Sequence, residues 1–229
     1  MHLLRVDYKT AKKIASGIEV KGGFELKIVG KLELPPGVGD FEPQHKEYIK
    51  HERKMKPKYL KQFWGVRGIG INGGPRYSWR LFVPTMYRGK VVSWSTRSIV
   101  PKAATRWLGA PAEQESISKS DLCYGIDHCR DAAIAVEGQP DVWAGGPGFV
   151  STLGSGFSDA QVAQLGQFPV RAVWFDDDES GRKKGKQLCQ LLEPFPGETY
   201  QIEVAGCDPA TAPKKLLKRI RKKILGVIK

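Results

Sequence analysis

Long apolar runs are missing from this 229-residue chain, so no stretch of it reads as a membrane-spanning helix. The first residues, MHLLRVDYKTAKK, lack a continuous apolar region and a small-residue cleavage site, and no secretory leader is expected. Cysteine is scarce, with Cys123, Cys129, Cys189 and Cys207 and no C-x-x-C pair, which excludes a disulfide-stapled scaffold and points to reduced thiols in a cytoplasm. Cys123, His128 and Cys129 lie close in sequence, yet their spacing matches no common zinc pattern, so no metal held by sulfur is expected. Acid is also in short supply: 24 Asp and Glu face 37 Lys and Arg, a net charge of +13. Such a balance favours a polyanionic partner, nucleic acid first.

The basic charge is concentrated. Residues 214–229, KKLLKRIRKKILGVIK, carry Lys214, Lys215, Lys218, Arg219, Arg221, Lys222, Lys223 and Lys229 and no acid. Leu216, Leu217, Ile220, Ile224 and Ile228 recur at helical spacing, predicting a helix with one apolar face that docks while its basic back adds nonspecific electrostatic attraction. Further upstream, HKEYIKHERKMKPKYLKQFW reads as two short basic helices, with Pro57 opening the second. RYSWRLFVPTMYRGKVVSWSTRSI (76–99) reads as two strands turning at Arg88-Gly89, with Arg80, Lys90 and Arg97 set among aromatic and β-branched residues. Cations among rings suit single-stranded nucleic acid, although half-buried strands look alike for packing reasons.

From about residue 129 strands alternate with helices: AAIAV (132–136), FVSTL (149–153), RAVWF (171–175) and YQIEV (200–204), with a capping box at Ser158–Gln161 and a helix from Ser180 to Leu192. The fold class expected is α/β, an α+β first half followed by a mostly parallel βαβ sheet. The boundaries expected are an extension over 1–42, a basic α+β subdomain over 43–128, and the parallel-sheet domain with its basic helix over 129–229.

Against this basic background AVWFDDDESG (172–181) sets three aspartates and a glutamate behind an apolar run. Adjacent carboxylates at about 5 Å and an effective dielectric near 20 repel by roughly 3 kcal/mol. Ligands of open parallel sheets sit beyond the carboxyl ends of the strands. Glu137 follows one predicted strand, Asp176, Asp177 and Asp178 another, and Asp208 a third, so all should share one edge. Strand alternation turns Asp176 and Asp178 together and Asp177 away. Hard oxygen donors in such a cluster suit Mg²⁺ or Mn²⁺. For Asp177 and Glu179, answering the helix dipole and its free N–H groups is the better explanation. It does not account for Glu137, on a different strand.

IAVEGQPDVWA and VWFDDDESGRKKGKQL resemble the two motifs of the TOPRIM domain, a Glu-Gly after one strand and an Asp-x-Asp after another. That domain occurs in topoisomerases, primases, nucleases and repair proteins. EGQPDV is similar to the EGYMDV form of bacterial-type replicative primases, FDDDESGRKKG to their YDGDRAGRKA, and AGCDPAT to the G-x-DPD segment that follows. SKSDLCYGIDHCR resembles the segment ending in LYGL, RLFVPTMYRGKVVSWSTRSI the primase hairpin, and HKEYIKHERKM the HxYLxxRGL helix. The ordered match covers roughly residues 45–212 and resembles a reduced, phage-like primase catalytic core.

The resemblance implies that Glu137, Asp176 and Asp178 are catalytic metal ligands for Mg²⁺ or Mn²⁺, helped by Asp208. It implies that Arg97, Arg106 and Lys119 contact template or nucleotide phosphates, with Arg182 a phosphate contact at a helix start. Arg80 joins them from the basic and aromatic pattern of the hairpin. The expected activity is template-directed synthesis of short RNA primers on single-stranded DNA from ribonucleoside triphosphates. No Cys/His set for the family's zinc module is present, and the chain stops where the family continues into a helicase-binding region. A separate zinc-binding protein and a replicative helicase are therefore expected partners, in the cytoplasm of a bacterial or phage-infected cell, with no membrane. The acidic middle position of Asp176-Asp177-Asp178 departs from the pattern and bears on metal number. The competing readings are a TOPRIM nuclease and a non-catalytic nucleic-acid-binding replication subunit. A topoisomerase has no room for its strand-passing domains.

Overall fold

The computed structural model describes residue 26 and residues 30–154 and 156–226; the predicted extension over 1–42 falls largely outside these. The chain forms two compact units, one spanning Leu26–Asp127 and the other taking in the chain from His128 onward. Each is mixed α/β in the sense expected, the first around an antiparallel sheet and the second around a parallel one.

In the first unit five antiparallel strands stand in sequence order: β1 (Val38–Gly39), β2 (Arg67–Ile69), β3 (Arg80–Tyr87), β4 (Lys90–Ser98) and β5 (Trp107–Gly109). The β3–β4 hairpin turns through Arg88 at φ 51° and Gly89 at φ 73°. Two consecutive positive φ angles fit the right-handed twist of the strands, and glycine takes such an angle without strain. Asp127 fixes the turn by accepting the Arg88 and Gly89 N–H groups at 3.0 and 2.7 Å. Tyr77, Phe82, Trp94 and Ile69 form the core on this sheet.

Helices α1 (Pro43–His51) and α2 (Pro57–Phe63) each open on a proline, where the missing N–H costs nothing. α1 is fastened by His45, which is fully buried. Its Nδ1 accepts the Glu42 N–H at 3.2 Å, so Nε2 carries the proton and donates to the Ile69 and Arg80 carbonyls, each at 3.2 Å. Burial pushes the imidazole below its ordinary pKa, keeping it neutral in this role. A short helix α3 (Gly74–Tyr77) leads into β3.

The second unit holds a fully parallel sheet of four strands, ordered second, first, third and fourth by position in the chain. Its strands are β6 (Ala132–Val136), β7 (Phe149–Ser151), β8 (Val170–Val173) and β9 (Glu198–Gln201), linked by α4 (Gln139–Gly145), α5 (Asp159–Gly166) and α6 (Glu179–Leu192). Every residue of β6 is buried, as a strand covered on both faces requires. Three strands end earlier than the hydrophobic pattern suggests. Val136 pairs with Ser151 and Val173 with Gln201, so β7 and β9 run out of ladder where their neighbours turn away. Single hydrogen bonds continue beyond them, from Thr152 N to Val136 O at 3.4 Å and from Trp174 N to Ala135 O and Ile202 N to Val173 O, both 2.8 Å.

β8 contains an arginine in its fully buried run. Arg171 donates through Nη1 to the Gly166, Phe168 and Pro196 carbonyls at 3.2, 2.9 and 2.8 Å. Nη2 reaches the Phe195 carbonyl at 3.1 Å and Nε the Thr199 hydroxyl at 3.1 Å. A single guanidinium thus ties the carboxyl ends of α5 and α6 to the amino end of the sheet, where such cations also complement the helix dipoles. Finally α7 (Lys214–Ile224) buries Leu217, Ile220 and Ile224, as its periodicity predicts; Ile228 and Lys229 lie outside the described residues. Arg221 anchors it by donating to the Gly145 carbonyl and, at 2.9 Å, to that of Pro147.

Candidate functional site

At the carboxyl edge of the parallel sheet the chain leaves β6 at Glu137 and β8 three residues before Asp176. Glu137 is held from two sides. Its carbonyl accepts the Ser151 hydroxyl at 2.6 Å, and its Oε1 accepts the Asp176 N–H at 3.3 Å. The first turn of α6 presses on this pair: a Cβ at Gly181 would lie 2.2 Å from the Asp176 carbonyl oxygen and 3.0 Å from Glu137 Oε1. Glycine is needed there for close approach, not for an unusual backbone angle.

The acidic triplet divides its work differently from the strand-alternation expectation, because β8 ends at Val173 and the triplet is loop. Asp178 is the N-cap of α6, with Oδ1 accepting the Gly181 N–H at 2.6 Å. Asp177, expected to serve the helix start, instead accepts Arg182 Nη1 at 2.6 Å on one oxygen and the Gly206 N–H at 2.7 Å on the other. These two bonds hold its carboxyl below the usual range. Asp177 therefore latches the loop after β9 to the start of α6, bringing the Asp208 segment to the same edge. Asp208 caps its own turn, accepting the Thr211 N–H and hydroxyl at 2.7 and 2.8 Å.

A further carboxylate, quoted in the sequence motif but assigned no role there, sits among them. Asp141, in the first turn of α4, accepts the Gly138 N–H at 3.0 Å and the Ala210 N–H at 3.2 Å. It joins the Glu137-Gly138 turn to the Asp208 segment. The legible signal was its place three residues after Gly138, the spacing of a reciprocal cap. Burial first, then the charges of Asp208 and Asp176, pushes Asp141 up to about 7. Burial, then the charges of Glu137, Asp208 and Asp178, pushes Asp176 up to about 6. These raised values show that Glu137, Asp176, Asp178 and Asp208 share one electrostatic neighbourhood.

Among the described residues no group of three or more His, Cys, Asp or Glu side chains is placed to hold a metal ion. The chemistry of the acids at this edge, not a gathered geometry, is what suits a hard divalent cation. Those acids offer only carboxylate oxygens, mutually repelling and partly desolvated, and Mg²⁺ is commonly held by one or two carboxylates together with water and substrate phosphates. Arg182, half-exposed beside Asp177, is the nearest sequence-predicted cation on this unit.

The other sequence-predicted cations lie in the first unit. Arg97 pairs across strands with Trp107, its guanidinium 5.1 Å from the ring centroid, and Nε donates to the Tyr48 hydroxyl at 2.6 Å. Arg53 donates to the same hydroxyl at 3.0 Å. Lys119 lies across Gly109, where a Cβ would fall 2.1 Å from Nζ, and donates to the Ala110 carbonyl at 3.3 Å. Ser95 pairs with Gly109 and Arg97 with Trp107, so strand alternation puts Arg97, Trp107 and Lys119 on one face of β4–β5. Arg106 is exposed on the approach to β5. Arg80 is on the opposite face: it pairs with Ser98 and, like Arg97, is 7% exposed, but its guanidinium donates to the Arg76, Thr105 and Arg106 carbonyls at 3.2, 2.8 and 3.4 Å. Arg80 and Arg97, grouped from sequence as phosphate contacts, therefore differ in face and partner, not in burial. Both stand in one hairpin, but its pleat sends them to opposite sides, and Arg80 braces the 105–106 turn.

No protein-family model matches the sequence, and no curated protein matches it. Solved structures do match the fold. The primase of Aquifex aeolicus, comprising zinc-binding and RNA polymerase domains, superposes with a TM-score of 0.67 at 20% identity over 81% of this chain and 56% of that one. The RNA polymerase domain of the Mycobacterium tuberculosis primase DnaG gives 0.64 at 19% identity, over 81% of this chain and 77% of that one. The primase fragment of the bacteriophage T7 primase-helicase gives 0.57 at 16% identity, over 89% and 82%. This chain thus spans little more than half the length of the Aquifex chain. It has the fold of bacterial and phage primase catalytic cores.

Proposed function

We propose that this chain is a primase catalytic core whose parallel-sheet unit is a TOPRIM domain, making short RNA primers on single-stranded DNA. The observation that carries the reading is the convergence of carboxylates from three separate segments, after β6, β8 and β9, on one edge of the sheet, in a chain with this fold. Glu137 and Asp176, with Asp178 and Asp208, would hold Mg²⁺ or Mn²⁺. A bound ion would supply positive charge to offset that of a nucleotide's triphosphate. The chain's own part is positional. Asp178 keeps one oxygen on the α6 cap and so cannot swing away, Asp177 and Asp141 fix the Asp208 segment, and Gly181 sets the depth of Glu137. Arg182 would meet nucleotide phosphates. Arg97, Trp107, Arg106 and Lys119 would track the template by phosphate contact and stacking, which makes binding salt-sensitive.

The Aquifex structure carries a zinc-binding domain and the T7 fragment belongs to a primase-helicase. A zinc-binding module and a replicative helicase are therefore proposed partners here, beside single-stranded DNA and ribonucleoside triphosphates. No helix among the described residues is long and apolar enough to cross a membrane.

The test is primer synthesis from labelled ribonucleotides on mixed single-stranded templates with Mg²⁺ or Mn²⁺, against an Asp176→Ala/Asp178→Ala control. Short RNA from the wild type alone supports the reading. Shortening of the template would favour a TOPRIM nuclease, and metal-independent binding without product a non-catalytic replication subunit.

A further inference from the structure

The helix α7 carries a device that the acidic edge does not use. Lys214, Lys215, Lys218, Arg219, Lys222 and Lys223 are all exposed, and none forms an ion pair among the described residues. They fall in three adjacent pairs, each four residues from the next. At about 1.5 Å rise per residue that is about 6 Å between pairs, close to the separation of successive phosphates along an extended strand. The opposite face, Leu217, Ile220 and Ile224, is already buried in the unit's own core.

The arrangement runs against helix stability. The first turn bears two lysines and no acid where the dipole favours acid, and its N-cap Pro213 offers no side-chain bond. Lys214–Lys218, Lys215–Arg219, Lys218–Lys222 and Arg219–Lys223 are like-charge neighbours at i,i+4, each unfavourable. Local conflicts of this kind are tolerated where function requires them. The direction of the stripe is also fixed. α7 begins just after Ala210, which is bonded to Asp141 at the carboxyl edge. It ends with Arg221 on the Gly145 and Pro147 carbonyls and Leu225 against Gly148, immediately before β7 begins. It therefore runs from the acidic edge to the opposite, amino edge of the sheet.

We infer that the exposed stripe of α7 is a track for the phosphates of single-stranded DNA, carrying a strand away from the acidic edge along the outside of the parallel-sheet unit. The occupant is nucleic acid rather than a lipid surface, because the apolar face an interfacial helix would insert is packed inside. The binding needs neither nucleotide nor divalent ion, so the inference can hold where the catalytic reading fails, and the reverse.

The test is fluorescence anisotropy of the full chain with long and short labelled oligothymidylates in EDTA over a salt series. It compares wild type, a Lys218→Gln/Arg219→Gln/Lys222→Gln/Lys223→Gln variant, and a variant with the five stripe lysines changed to arginine. Each phosphate contact removed should lower the slope of log affinity on log salt by about 0.7. The glutamine variant should therefore lose up to about 3 from the slope for the long oligonucleotide. That makes its deficit at 50 mM salt about 60-fold larger than at 200 mM. The short oligonucleotide should change less, and the arginine variant should bind as wild type does. Circular dichroism checks that α7 is still folded. A folded glutamine variant with unchanged slope and affinity overturns the inference. So does a wild type that binds anionic phosphatidylserine vesicles in preference to the oligonucleotide at equal phosphate concentration.

Discussion

Replacing Asp176 by asparagine should make the metal-free protein more stable while abolishing primer synthesis. The carboxylate is raised from an ordinary value of 3.8 to about 6, by burial first and then by Glu137, Asp208 and Asp178. A carboxyl whose folded value exceeds its unfolded one binds its proton more tightly when folded. Wild-type stability therefore falls as pH climbs from about 4 to about 6, and stays reduced above. A shift of about two units corresponds to a ceiling of about 3 kcal/mol. The side chain is only partly buried, and solvent screening reduces this to about 1 kcal/mol. Asparagine keeps the shape and removes the charge. For a chain of this size the gain is about 2–4 °C in Tm at pH 8 in EDTA. At pH 4.5 the wild-type group is protonated and the difference should largely vanish. Millimolar Mg²⁺ should raise the wild-type Tm and leave the variant nearly unmoved, which reverses their order. Differential scanning fluorimetry over pH, with and without Mg²⁺, reads all three effects. An Asp176→Asn protein no more stable than wild type at pH 8 in EDTA would refute the view of these carboxylates as mutually destabilising.

Other outcomes follow from the same geometry. Gly181→Ala drives a methyl into the Asp176 carbonyl and against Glu137; a cost of about 1–3 kcal/mol is expected, read as a lower Tm together with lost primer synthesis. Arg171→Met leaves the carbonyls at the ends of α5 and α6 without their donor, costing about 2–4 kcal/mol in urea unfolding, although the residue is remote from the acidic edge. Arg97→Gln should weaken single-stranded DNA binding and reduce its salt slope by about 0.7. Arg80→Gln should instead lower Tm with little change in that slope, a contrast that anisotropy and melting curves resolve together.

Much of the frame was legible because its signals are local. Pro57 opening α2, the Arg88-Gly89 turn, the Ser158–Gln161 capping box and the apolar period of α7 each depend on residues within a few positions. The acids could be assigned to one sheet edge because parallel strands must all end there. The errors came where a partner decides. Strand lengths were overread at β7, β8 and β9 because an apolar run says nothing about where its neighbour's ladder stops. The roles within Asp176-Asp177-Asp178 were misdivided for the same reason: with β8 ended at Val173 no alternation operates, and the Gly206 N–H that claims Asp177 is distant in sequence.

The two arginines of the hairpin show the limit most clearly. Arg80 and Arg97 have the same chemistry and similarly aromatic surroundings in sequence. Once Leu81 pairs with Arg97, and Arg80 with Ser98, the two guanidinium groups are committed to opposite faces. One face offers a ring and a tyrosine hydroxyl, the other three backbone carbonyls. Period two is visible in a sequence, but a difference of register by one residue is not, and it alone separates a candidate phosphate contact from a brace. The acidic edge is less exposed to this error, since acids that follow strand ends are gathered by the sheet's polarity rather than by register. That is why the residues after β6, β8 and β9 could be grouped from sequence, while the cations of the first unit had to be sorted by the structure.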